Sequence, residues 1–449
     1  MTPIHLELTQ PPAVRAALQS RWPQWLAQAG LLAGFAFTIQ IGLFGPAAGN
    51  ANFAVIAVWI AWWTALKLVF IPFGGRAWCG LCPIPLPGEW LQRGALLGPA
   101  GRGWTLNRRW PRRLRGAWLQ VGGFALIGLF SAVILTEPRV TAWVLLGLIA
   151  LAMIASVVFE RRAFCRYLCP IGGFTGLYAR LAPLALRVKD PAVCAAHTEK
   201  VCYTGCAGGY GCPWGNFPAA VRDNAYCGLC FECLRSCPHD NLALSLRPFG
   251  RDVVARAGAR LDEAWLALLM LGSVLVYTAV FLGPWGWLKT AAYSVGSPAW
   301  LGYAAGFVLI NLGLLPALFG LAVRAGQALS GSRRPLRAAF AGQARSLAPL
   351  GLAAWVAFTI AFAFVKFPLV WAVFSDPLGL GWNLLGYSAA VIWPEISASS
   401  RLAQAAVLAL GMFGAARVAV RTADQTREAL PVIAFCLAAA LALLWLLIG

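Results

Sequence analysis

Nine apolar segments do most to limit what this chain can fold into. They fall at about 25–45, 51–73, 116–136, 139–159, 264–284, 300–322, 347–374, 402–420 and 429–448 of its 449 residues. Each is close to the roughly 20 residues that a helix needs to cross about 30 Å of hydrocarbon. In lipid the backbone has no water to pair with, so a spanning segment must satisfy its own hydrogen bonds. A composition 60% hydrophobic and only 12% charged points the same way. Nine crossings put the two ends of the chain on opposite sides.

The cysteines are the second constraint. Thirteen of them would signal disulfides in a secreted protein, but here the spacings are those of metal ligands. Cys227, Cys230, Cys233 and Cys237 stand at C-x2-C-x2-C-x3-C with Pro238 next, the bacterial ferredoxin run. Its short spacers let three thiolates wrap one corner of an iron–sulfur cube while the fourth points to another. The first cube then needs a ligand from elsewhere, and Cys212, followed by Pro213, is the expected donor. Cys194, Cys202 and Cys206 serve the other cube, which Cys237 completes. The expectation is two [4Fe-4S] clusters with crossed fourth ligands. Zinc is the rival for a four-cysteine set, but it usually pairs two C-x2-C units across a gap. The spacers ahead of Cys212 are irregular, at seven, three and five residues, and His197 lies among them. It is either a ligand in place of one cysteine or the partner of a loop carbonyl.

The basic residues set the orientation. The net charge of +20 comes from 36 Lys and Arg against 16 Asp and Glu. In a soluble protein this balance suggests nucleic acid; here it is topogenic, and no nucleic-acid partner is expected. The 74–115 connection carries Arg76, Arg93, Arg102, Arg108, Arg109, Arg112, Arg113 and Arg115 against the single acid Glu89. The 323–346 connection has Arg324, Arg333, Arg334, Arg337 and Arg345 and no acid. Such loops face the cytoplasm. The expected location is therefore a prokaryotic inner membrane. The N-terminus and the cysteine-rich insert lie inside, and the C-terminus and the 375–401 loop outside. A reducing cytoplasm also keeps thiols free for metal. The fold class expected is an all-α polytopic membrane protein with an inserted 2[4Fe-4S] ferredoxin-like α+β domain. The division is 1–186 for an N-terminal membrane domain, 187–262 for the insert and 263–449 for a second membrane domain.

The first membrane domain repeats itself. One hairpin of spans ends in Arg76-Ala77-Trp78-Cys79-Gly80-Leu81-Cys82-Pro83-Ile84. The next ends in Arg162-Ala163-Phe164-Cys165-Arg166-Tyr167-Leu168-Cys169-Pro170-Ile171. Parallel repeats are related by an axis along the membrane normal, which brings both cysteine pairs to one depth near it. Cys79, Cys82, Cys165 and Cys169 are then candidates for a third metal centre or a pair of dithiols. Small apolar cysteines in a turn are the plainer alternative. Arg76 and Arg162, three residues ahead of each pair, are expected to favour thiolate over thiol.

The rest of the chain says less. The only histidines are His5, His197 and His239, so a membrane haem b held by paired imidazoles is excluded. Lys67 lies near a segment end and is expected to snorkel, whereas Lys366 beside Pro368 is an intramembrane candidate. Asp376 and Glu395 flank an apolar outer loop at 378–394, and Cys436 reads as packing.

Taken together, paired Cys-Pro motifs on four spans followed by eight ferredoxin cysteines resemble the membrane iron–sulfur proteins related to NapH and NosR. The resemblance covers about residues 50–250 and departs in the irregular spacers ahead of Cys212, in having no extracytoplasmic flavin domain of the NosR kind, and in two further places. Cys79-x2-Cys82-Pro83 is one residue shorter than Cys165-x3-Cys169-Pro170, and the five later spans match nothing in that group. The resemblance implies electron transfer between a quinone or membrane redox partner and a cytoplasmic or periplasmic oxidoreductase. The alternatives are a maturation factor, whose dithiols reduce or deliver a metal, and a transporter with a redox sensor. The scarcity of intramembrane charge weakens the transporter.

Overall fold

The computed structural model describes residues 6–97, 103–254, 258–386 and 398–448. His5, Arg102, Glu395 and the part of the outer loop beyond residue 386 lie outside them. Among the described residues eight helices are long and apolar enough to cross a membrane. They are Trp22–Phe44, Phe53–Gly74, Pro138–Val158, Leu261–Phe281, Pro298–Ser330, Leu336–Lys366, Ala398–Thr422 and Thr426–Ile448. The chain is thus a mostly helical protein of the multi-pass membrane type.

Three expected segments differ from what forms. The one at 116–136 is two shorter helices, Trp118–Leu129 and Ser131–Ile134, separated by Phe130. Gly128 and Ser131 flank the break, and Gly/Ser pairs are a common cause of sharp kinks. The arginine-rich connection at 323–346 is mostly helix, because Pro298–Ser330 and Leu336–Lys366 extend into it. Gly331, at a φ of +66°, ends the first of these. The segment at 347–374 divides at Phe367, because Pro368 has no amide hydrogen to continue the ladder.

Two compact units interleave along the chain. One comprises residues 1–37, 69–115 and 143–252; the other comprises 38–68, 116–142 and 253–449. The first unit holds a three-stranded antiparallel sheet in the order β1-β3-β2, from β1 (Leu6–Glu7), β2 (Leu184–Val188) and β3 (Leu242–Leu246). Strands β2 and β3 bracket the cysteine-rich stretch, with Leu186 opposite Leu244. Both of these leucines pack with Leu229, and Cys227 and Cys233 lie against that small core. The N-terminal strand β1 joins the same sheet, a pairing between distant parts of the chain that local pattern does not reveal.

In the second unit Lys67 does not snorkel. It is 2% exposed. Its Nζ stands 5.3 Å from the rings of Trp63 and Trp355 and 5.5 Å from that of Phe358. Aromatic faces are its neighbours instead of the water that a snorkelling lysine seeks. Cys436 is fully buried in packing, as its setting in an apolar span leads one to expect.

Candidate iron–sulfur sites

All twelve candidate cysteines lie in the first unit. The two Cys-Pro motifs reach equivalent geometry despite their different spacing. Cys79 lies in the short helix Ala77–Leu81, and its amide bonds Arg76 O at 2.9 Å. Cys165 lies in the π-helical turn Phe164–Leu168, where the Cys169 amide reaches back five residues to Phe164 O at 2.8 Å. A π-turn absorbs one extra residue, a device common at functional sites. The residue that makes the second motif longer is therefore taken up as a bulge.

The motifs also interlock. The Arg76 guanidinium donates to Cys165 O at 3.2 Å, and that of Arg162 donates to Cys79 O. Each arginine thus holds the first cysteine of the other motif. Arg162 is further paired with the buried Glu89, which also takes Arg93 at 2.9 Å. Cys79, Cys165 and Cys169 pack in one buried cluster, with Cys82 against it. Charge couples all four: Cys165 senses Cys169, Cys82 and Cys79, and Cys82 senses Cys79 and Cys169.

The arginines do not win the contest over ionisation. Burial pushes the Cys82 and Cys165 thiols up, although Arg162 pulls both down. Burial likewise pushes Cys169 to about 11, against the pull of the Gly172 amide and of Arg76. Cys82, Cys165 and Cys169 are thus pushed toward the thiol form, against the expected thiolate. The cause is desolvation, which outweighs nearby positive charge. Thiols that oppose one another's ionisation are relieved by a bound cation, which releases their protons.

The ferredoxin cysteines are coupled to one another by charge. Burial raises the Cys233 thiol first, and then Cys230, Cys227 and Cys212. Cys230 is pushed up to about 12 by burial and next by Cys212. Cys212 is among the charges felt by Cys227, Cys230 and Cys233, and by Cys202 as well. Cys202 is raised to about 11 by burial and then by Cys237 and Cys194. Cys206 is exposed, in a turn closed by its amide on Gly209 O at 2.8 Å. His197 Nδ1 sits 2.7 Å from Val193 O, the loop-carbonyl bond of the plainer reading.

Sulfurs here also accept backbone hydrogen bonds, the feature that tunes iron–sulfur centres. Gly172 N donates to Cys169 Sγ at 3.3 Å and Asn216 N to Cys212 Sγ at 3.4 Å. Leu229 and Phe231 take positive φ of 48° and 59°, which folds the amides of this run into a turn. Among the described residues no three His, Cys, Asp or Glu gather tightly enough for a single metal ion. Thiolates on one zinc stand only about 3.8 Å apart, from a Zn–S bond of about 2.3 Å. Cysteine-only sets are also the ligands of iron–sulfur clusters, whose thiolates bind separate irons.

The sequence reading missed how the sets meet. Cys79-Gly80-Leu81-Cys82 and Cys227-Gly228-Leu229-Cys230 are the same four-residue phrase, and the two turns pack together. A Cβ at Gly80 would lie 2.6 Å from Gly228 O, and one at Gly228 would lie 2.3 Å from Trp214 Nε1. Only glycine permits that approach. The second Cys-Pro motif clamps the turn that carries Cys212: Arg161 donates to Cys212 O at 2.6 Å, the Arg162 amide to Pro213 O at 2.9 Å, and Arg166 to Trp214 O. The repeated phrase and the lone acid Glu89 were the available signals.

Residues 55–116 and 141–189 match a family described as a 4Fe-4S binding domain. These two stretches contain the two Cys-Pro motifs. The chain is also 25% identical over 143 residues to the methylamine utilization ferredoxin-type protein MauN of Paracoccus denitrificans. That match covers 29% of this chain and 48% of MauN, so the chain spans about half the length of the curated relative. No solved structure matches. The chain thus carries a 4Fe-4S ferredoxin-type domain of the membrane type.

Proposed function

We propose that this is a membrane-bound electron-transfer protein with three four-cysteine centres, linking the quinone pool or a membrane partner to a separate redox protein. The observation that carries the reading is the packing of the Gly80 turn on the Gly228 turn, which puts two cysteine sets in contact. Cys79, Cys82, Cys165 and Cys169 would hold one cluster. Cys212, Cys227, Cys230 and Cys233 would hold the second, and Cys194, Cys202, Cys206 and Cys237 the third. Each cluster supplies the uptake and release of an electron. The protein's own part is to exclude water, aim amides at sulfur and offset thiolate charge with Arg76 and Arg162. These two guanidiniums lie 4.2 and 5.9 Å from the Trp214 ring.

Iron and acid-labile sulfide, counted on anaerobically prepared protein, test the reading. Both should be present at about twelve per chain, four for each set. Stoichiometric zinc without sulfide would refute it.

The orientation proposed follows the arginine loops, with the cysteine-rich unit inside the cell. Reporter fusions after residues 245 and 448 should report opposite sides. Agreement between them would mean that one of the five helices after residue 260 does not cross.

A further inference from the structure

Trp214 is the feature that the proposed function leaves without a role. It is 1% exposed, and its indole N–H has no hydrogen-bond acceptor among the described residues. Its ring packs with Cys79, Cys165 and Cys169, and Cys82, Cys212 and Cys230 border the same cluster. The indole nitrogen faces Gly228, the residue that follows Cys227 in the Cys227-Gly228-Leu229-Cys230 turn. Buried N–H groups are nearly always paired, so one left over beside cysteines points to an acceptor that those cysteines bring with them. The surroundings also fix the ring. Arg166 holds its backbone carbonyl, the Arg162 amide holds that of Pro213, and the Arg76 guanidinium covers one face.

The geometry points to Trp214 as the positioning residue of the junction between the Cys-Pro set and the Cys212, Cys227, Cys230 and Cys233 set. Its N–H donates to a sulfur of the centre held by the second set, and its ring fills the space between the two. Sulfur becomes more negative when such a centre is reduced, so a donor there favours the reduced form and raises the potential. This rests on the cluster reading above. Neither the family match nor the ferredoxin spacing assigns the residue a part: Trp214 lies outside the matched stretches.

Redox titration of the anaerobic full-length protein, followed by electron paramagnetic resonance, tests the inference. Trp214→Phe keeps the ring and removes the donor. Iron and sulfide should stay as in the unaltered chain, while one centre's reduction equilibrium falls about tenfold, or about 59 mV for a one-electron couple. Unchanged midpoints would overturn the inference. A second measurement does not depend on the variant's folding. In the unaltered protein grown with indole-15N tryptophan, the reduced sample should show a 15N coupling to the electron spin. Iron and sulfide without that coupling would overturn the role of Trp214 alone. No iron or sulfide at all would overturn the cluster reading with it.

Discussion

Serine at Cys169 should remove about four irons and four sulfides per chain and leave the other centres assembled. The substitution separates two jobs that this sulfur performs. Cys169 caps the helix Pro170–Tyr178, with its Sγ accepting from Gly172 N. Serine is among the best N-cap residues, so the helix start survives. What serine does not supply is a soft thiolate. Loss of iron without loss of fold is therefore the expected signature of a centre at the Cys-Pro motifs, and Cys82→Ser should behave alike. Electron transfer between the membrane and the cysteine-rich unit should stop in both. An unchanged iron count would exclude a third centre. If electron transfer also continued, the four cysteines would be mere packing; if it stopped, they would act as dithiols.

The second large effect is expected at Glu89. It is 1% exposed and Arg162 is 4% exposed, so their ion pair is dry. Glu89→Gln leaves the Arg162 charge buried and uncompensated. Breaking a buried pair from one side costs about 3–5 kcal/mol. The loss should appear as a lower denaturation midpoint of the detergent-purified protein. Glu89→Leu combined with Arg162→Leu should recover part of it, because the buried Arg162 charge is then gone as well, although Arg93 still loses its partner. The recovery is partial because Arg162 also holds Cys79 O. Equal stability of Glu89→Gln and the parent chain would show that water reaches the pair.

How much of this was legible in the sequence follows from what is local. Runs of about 20 apolar residues must become helices in lipid, because the backbone has no other partner there. That argument holds residue by residue, and it located the long helices from the pattern alone. The kink at Phe130 and the helical tails into 323–346 escaped it, since apolarity marks where a chain crosses and not where its ladder breaks. Cysteine spacing is equally local. Three residues between Cys165 and Cys169 and two between Cys79 and Cys82 were visible as a departure. Only the fold shows that a π-turn cancels it.

The sequence by itself determined the class of protein, the positions of its twelve candidate cysteines and the repeat that pairs the Cys-Pro motifs. Tertiary structure alone decided which surfaces meet. It placed Gly80 against Gly228 and Trp214 in the gap, crossed Arg76 and Arg162 between the motifs, and put Lys67 among aromatic rings. It also pushes the Cys165 thiol up, because burial outweighs Arg162, which sequence places only three residues away. Desolvation is a sum over everything packed around a group, and no window of sequence contains that sum.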